Sequence, residues 1–164
     1  MLKPNFILEN ITDISVDFLK ENKIKALLLD VDNTLSVAHG TKVLRPGVPE
    51  WLTKMQENGI KLVVLSNAKK SRAKAFASSI SLSVVGMALK PLPFGYLTAK
   101  KLLNLKAKNI AMVGDQIFTD ILGAKIVGFK SVWLTNITPE DKLSFKIRRK
   151  IEQNLKGRWN KNER

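Results

Sequence analysis

Five short apolar runs constrain this 164-residue chain more than any other feature in it. They are Ile24–Leu29, Ile60–Leu65, Val84–Ala88, Ile110–Val113 and Ser131–Leu134, and each is too short to be a helix by itself. Continuous apolar strands of this kind are buried on both faces. Between them apolar residues return at helical spacing over Val48–Glu57, with Trp51, Leu52 and Met55 on one face, and over Ala73–Ser79, Leu97–Leu103 and Asp120–Val127. A further short helix, Ile14–Glu21, precedes the first strand. Strand and helix alternate, which predicts an α/β fold: a doubly wound, Rossmann-like, mainly parallel five-stranded sheet covered on both sides. The expected core spans residues 24–134 of a domain covering 1–141, followed by a basic C-terminal helix or tail over 142–164.

Composition narrows the chemistry. With 45% hydrophobic and 26% charged residues the chain has the balance of a globular domain. No apolar run reaches the roughly 18 residues of a membrane span, and Met1-Leu2-Lys3-Pro4 opens no secretory leader. A cytoplasmic location is the expectation. There is no cysteine and a single histidine, His39, so disulfides, thiolate catalysis and Cys/His zinc sites are set aside. Catalysis must rest on carboxylates, hydroxyls and lysines. The 28 Lys+Arg against 14 Asp+Glu give a net charge of +14, a field that favours phosphates, nucleic acid or an acidic membrane surface. Acids are scarce, and none lies between Glu57 and Asp115.

In an open parallel sheet the ligand crevice lies beyond the carboxyl ends of the strands. The first predicted strand ends in Asp30-Val31-Asp32-Asn33-Thr34, the second in Ser66-Asn67; the third leads to Lys90-Pro91, and the fourth ends in Gly114-Asp115 with Asp120 a turn later. Asp30 and Asp32, one residue apart, suit a nucleophile and a general acid facing one space. Asp115 beside them makes a hard-oxygen site of the kind magnesium prefers, since acids packed together repel without a cation. Lys90 and Ser66 supply a positive charge and a hydroxyl for phosphate oxygens. Singly, each has a plainer reading: a turn after a strand for Asp30 and Asp32, a helix cap and first-turn acid for Asp115 and Asp120, surface positions for Lys90 and Ser66.

Together, in this order, Asp30-Val31-Asp32-Asn33-Thr34-Leu35, Ser66, Lys90 and Gly114-Asp115-Gln116-Ile117-Phe118-Thr119-Asp120 resemble the four motifs of the haloacid dehalogenase superfamily of phosphatases. The likeness covers roughly residues 24–134. With Pro46-Gly47-Val48-Pro49-Glu50-Trp51, Leu65-Ser66-Asn67 and Lys90-Pro91, the chain is similar to the YqeG-type branch, whose relatives include phosphatidylglycerophosphate phosphatases. The resemblance implies a magnesium-dependent phosphomonoester hydrolase in which Asp30 forms an aspartyl-phosphate and Asp32 protonates the leaving oxygen. It implies Mg2+ held by Asp30, Asp32 (through its backbone carbonyl) and Asp115, with Asp120 as ligand or support. Ser66, Asn67 and Lys90 would meet the substrate phosphate. Ala68 departs from the second Asn that many relatives carry after Ser-Asn, at no cost to a catalytic group.

The gaps from Asp32 to Ser66 and from Ser66 to Lys90 hold too little chain for an inserted cap domain. An uncapped site suits a phosphate on a large or surface-fixed substrate. Phosphatidylglycerophosphate on an anionic membrane is the leading expectation, with peripheral contact through the basic tail at the inner face. The alternatives are a sugar phosphate, a nucleotide or a nucleic-acid end, and, outside catalysis, an RNA-binding scaffold. A signalling receiver also uses aspartyl-phosphate and a lysine, but its acceptor follows the third strand, whereas here the second acid pair follows the fourth.

At the periphery, Trp51 and Trp133 read as packing residues, while His39 and Arg45 sit in an exposed segment near the site. The tail from Lys142 to Arg164 carries nine basic residues and two acids. Its Leu143, Ile147, Ile151, Leu155 and Trp159 form a drifting apolar stripe. Packing of that stripe on the domain is expected ahead of a membrane-surface role, with Gly157 ending or fraying the helix.

Overall fold

The computed structural model describes residues 2–139 and 141–161. The expected domain and tail spans also take in Met1, Glu140 and 162–164, which lie outside the described residues. Among the described residues six strands form one parallel sheet: β1 (Phe6–Leu8), β2 (Ala26–Leu29), β3 (Lys61–Leu65), β4 (Ser83–Val85), β5 (Ile110–Gly114) and β6 (Lys130–Leu134). Their order is β1-β6-β5-β2-β3-β4. The helices are α1 (Val16–Glu21), α2 (Val48–Glu57), α3 (Lys70–Ser79), α4 (Pro93–Leu103), α5 (Leu122–Ile126) and α6 (Leu143–Lys161).

The burial that made the strands legible comes from alternation across two faces. Leu27 and Leu29 of β2 pack with Trp51, Leu52 and Met55 of α2 and Leu19 of α1; Ala26 and Leu28 point the other way, toward Tyr96 and Ala99 of α4 and Ala124 of α5. Trp51 and Trp133 are both buried, as expected of packing residues. Their indole N–H groups donate to the carbonyls of Ile14 and Asp115.

The sheet has one strand more than expected. Phe6-Ile7-Leu8 is only half-buried and too short to register as an apolar run, but it pairs in parallel with β6, Ile7 opposite Trp133. Asn5 fixes that register, its Oδ1 accepting from the Ser131 N–H at 3.0 Å while its own N–H donates to Ser131 Oγ at 3.1 Å. Helices α3 and α4 begin about a turn before the expected starts: the first turn of α3 faces solvent, and α4 opens at Pro93, with Gly95 and Tyr96 already buried in its first turn. Between Asp32 and Ser66 the chain forms only a loop, α2 and β3, and between Ser66 and Lys90 only α3 and β4, leaving the site edge uncapped among the described residues.

Helix α6 departs most from expectation. Leu143, Ile147 and Ile151 are 72%, 53% and 44% exposed, so the apolar stripe faces away from the core along most of its length. What docks the helix is polar: Glu152 is buried, its Oε1 accepting from the Ile117 N–H at 2.8 Å. Trp159 then meets Trp133 edge to face, ring centroids 6.2 Å apart. The helix runs through Gly157 rather than ending there. A glycine inside a helix costs about 1 kcal/mol. No helix among the described residues is long and apolar enough to cross a membrane.

Candidate active site

Strands β3 and β4 lie to one side of β2, and the chain then crosses back to place β5 on the other. The crevice of such a sheet opens where the order reverses, between β2 and β5. Leu29 is in register with Val113, and the Asp30 N–H donates to the Val113 carbonyl at 3.0 Å, which sets Asp30 and Asp115 side by side. Asp30, Asp115 and Asp120 are buried, with carboxylate oxygens all within 4.8 Å of one another. Gly114 makes room for this arrangement. A Cβ there would lie 2.2 Å from Asp120 Oδ2.

Two cations hold the three acids. Lys90 Nζ donates to Asp30 Oδ1 at 2.6 Å and to Asp120 Oδ1 at 2.7 Å. Burial pulls the Lys90 ammonium down, but Asp120 and Asp30 outweigh it and push its pKa above the ordinary value. The second cation comes from α6: Arg149 donates to Asp115 Oδ2, to the Asp115 carbonyl at 2.6 Å and to Glu152 Oε2 at 2.8 Å. Even so, burial pushes the Asp30 carboxyl up to about 7 against the pull of Lys90. Asp115 is raised as well, by burial and the Asp30 charge, against the pull of Arg149.

Asp115 Oδ1 is buried and finds no hydrogen-bond partner among the described residues. An orphaned carboxylate oxygen beside two further buried carboxylates fits a hard divalent cation. The donor set is all oxygen, which suits magnesium better than a softer metal.

Asp32 sits apart from that cluster. The chain turns sharply after it, with Asn33 in the left-handed region at φ 60, a conformation Asn tolerates. The Asp32 carboxylate accepts from the Gly40 N–H at 2.9 Å and from Arg72 Nη2 at 2.8 Å, and lies 2.9 Å from His39 Nδ1. The Asp32 carboxylate is thus engaged outside the cluster of Asp30, Asp115 and Asp120. Ser66 and Asn67 line the same cleft. Asn67 brackets the Lys90 backbone, accepting from its N–H at 2.7 Å and donating to its carbonyl at 3.2 Å. Arg45 instead braces the turn, donating to the Asn33 carbonyl at 2.6 Å.

Periodicity and motif order passed over the rest of the wall. Arg72 of α3 and Phe145 and Arg148 of α6 line the cleft, which has a volume of about 330 Å3. Arg148 donates to Gln116 Oε1 at 2.5 Å and stacks over Phe145, 5.3 Å from its ring centroid. One signal was available: Glu152 is an isolated acid three residues after Arg149 in a run of bases, where an i,i+3 pair is the natural reading.

The sequence pattern of the mitochondrial PGP phosphatase family matches residues 1–138. The chain belongs to that family. It is 29% identical over 152 residues to a probable phosphatase, YqeG, of Bacillus subtilis, covering 93% of this chain and 88% of that protein. It is 28% identical over 149 residues to the mitochondrial phosphatidylglycerophosphatase of Saccharomyces cerevisiae, covering 82% and 78%. A putative haloacid dehalogenase superfamily (subfamily III A) hydrolase from Legionella pneumophila shares the fold, with a TM-score of 0.52 at 21% identity over 74% of this chain and 70% of that one. The chain is accordingly a phosphatase with the haloacid dehalogenase fold. Phosphatases of that superfamily generally use Mg2+.

The tail helix of this PGP phosphatase family member is tied to its acids, and that tie is measurable. Arg149→Ala leaves Asp115 and Glu152 without their cation, and removing one partner of a buried pair costs roughly 3–5 kcal/mol. Urea unfolding is expected to show that loss. Lys150→Ala, on an exposed position of the same helix, is expected to change stability by less than about 0.5 kcal/mol.

Proposed function

We propose that the chain removes the terminal phosphate of phosphatidylglycerophosphate at the inner face of a membrane, by covalent catalysis with Mg2+ as cofactor. The observation that carries this reading is the cleft itself, which Asp30, Asp32, Lys90, Arg72 and Arg148 line together. A volume near 330 Å3 takes a phosphorylated glycerol headgroup and leaves acyl chains outside. The two arginines suit the second anion of this substrate, the phosphodiester a glycerol away from the monoester. The names of the family and of the yeast relative point to the same lipid.

In the proposed reaction an Asp30 oxygen attacks phosphorus as the bond to the leaving oxygen breaks, and Asp32 delivers the proton that the leaving glycerol oxygen needs. Asp32 then takes a proton from water as the water attacks the aspartyl-phosphate, releasing inorganic phosphate and restoring the Asp30 carboxylate. Lys90 holds Asp30 in place, and Ser66 offers its hydroxyl to a phosphoryl oxygen. Asp30 and Asp115, with the Asp32 carbonyl, are the groups that would hold Mg2+. Asp120 acts as support, since Lys90 and the Gln116 N–H already engage its two oxygens. When bound, the ion offsets negative charge on the carboxylates and phosphate. Residues 1–141 form the phosphatase domain in this reading, and α6 completes its wall.

The test is phosphate release from phosphatidylglycerophosphate in detergent micelles, compared with glucose 6-phosphate, nucleoside monophosphates and a 5′-phosphorylated oligonucleotide. The lipid is expected to lead in kcat/KM by roughly a hundredfold or more. A preference for any soluble phosphate would retire the lipid substrate and keep the phosphatase.

A further inference from the structure

The segment that delivers Lys90 to the cleft also displays a row of apolar side chains to solvent. Met87, Leu89, Leu92 and Phe94 are 51%, 54%, 49% and 64% exposed, while Ala88 and Lys90 between them are buried. Met87 and Leu89 reach that position through left-handed backbone, φ 48 and 54. Such a conformation is uncommon for large side chains. It has a clear geometric result here: alternate residues point out to water and into the protein.

The segment is also firmly built. The Met87 N–H donates to the Ala68 carbonyl at 2.9 Å, the Ala88 N–H to the Ser66 carbonyl at 3.0 Å and the Leu92 N–H to the Leu89 carbonyl at 2.8 Å. Gly95 of α4 packs so closely on Ala88 that a Cβ would come within 2.7 Å of it. Four large apolar side chains exposed on a hydrogen-bonded backbone segment that leads into a catalytic cleft mark a contact surface rather than scattered exposure.

Charge identifies the occupant. Lys69 and Lys70 are exposed beside the row, with Lys70 Cα only 3.1 Å from where a Cβ on Gly86 would lie. The whole chain carries +14, so a second copy would be repelled where an anionic surface is attracted. We propose that Met87, Leu89, Leu92 and Phe94 seat the protein on an anionic phospholipid bilayer, entering its interface while Lys69 and Lys70 meet lipid phosphates. Because Lys90 belongs to the same segment and lines the cleft, seating it there brings headgroup phosphates to the mouth. This extends the lipid-phosphate reading above and moves the principal contact from the tail helix to the loop between β4 and α4.

Co-sedimentation of the full chain with vesicles of phosphatidylglycerol and phosphatidylcholine tests the surface. The parent is expected to bind these and to leave pure phosphatidylcholine vesicles largely unbound. The double variant Met87→Ser/Phe94→Ser, with thermal stability unchanged because both positions are exposed, is expected to partition about tenfold less or weaker still. Phe94→Trp supplies a second readout: emission shifted to the blue and quenched by brominated acyl chains when anionic vesicles are added. Equal partitioning of parent and double variant would overturn the proposal, as would unquenched emission. So would a parent dimer that the two serines dissociate, which would assign the row to a second copy. Hydrolysis in detergent micelles separates this from the substrate reading: vesicle binding without lipid hydrolysis removes only the substrate, and micellar hydrolysis without vesicle binding removes only the surface.

Discussion

Asp30→Asn is expected to fold as well as the parent and to release phosphate at least about a thousandfold more slowly. The amide keeps the shape of the side chain and an oxygen for Lys90 Nζ, which sits 2.6 Å from Asp30 Oδ1 in the parent. It cannot form the acyl-phosphate. Stability should hold or rise, because burial already pushes the Asp30 carboxyl up to about 7 and a neutral amide escapes that desolvation. Circular dichroism and a melting curve check the fold, and single-turnover phosphate release checks the chemistry. Retained turnover would take Asp30 out of the nucleophile's role. Asp32→Asn is the companion, expected to be slow in hydrolysis while phosphorylated chain accumulates.

Mg2+ is expected to stabilise the protein in a pH-dependent way, and EDTA to abolish activity. In the folded chain Asp30 and Asp115 both titrate above their ordinary range. Between about pH 4 and pH 7 the folded state therefore holds more protons than the unfolded one, so these groups make the metal-free protein less stable as pH rises through that window. A divalent cation takes the place of the lost protons and requires the ionised acids. Melting temperatures with and without Mg2+ should thus coincide near pH 5 and diverge near pH 8. At a hundredfold excess over Kd the gain is about 2.7 kcal/mol, or roughly 5–10 °C for a chain of this size. An identical gain at both pH values would contradict occupation of the acid cluster.

The site was legible to the extent that its residues end strands. Asp30, Ser66 and Asp115 follow β2, β3 and β5 directly, and Lys90 follows β4 within a short loop, so reading the strands from apolar runs also placed the chemistry. Asp32 was paired with Asp30 by spacing, yet its carboxylate faces His39 and Arg72 because the turn at Asn33 swings it out of the acid cluster. Arg72, Phe145 and Arg148 had no such position in the pattern. They come from helix faces, and a cation on a helix of this basic chain looks the same whether it faces water or a cleft.

The division falls between contacts local in sequence and contacts that are not. The alternation of strands and helices, and the four strand ends that meet at the carboxyl edge, were readable from the sequence alone. Burial of a strand on both faces leaves a continuous apolar run, and the order of the strands does the rest. Only the tertiary structure decided which face of α6 meets the domain. Hydrophobic periodicity pointed to Leu143, Ile147 and Ile151, but the buried Asp115 carboxylate, desolvated beside Asp30 and Asp120, needs a cation, and Arg149 supplies it from 34 residues away. Once Arg149 and Glu152 turn inward, helical geometry carries the apolar stripe out to solvent, because residues on opposite faces of one helix cannot both be buried against the same wall.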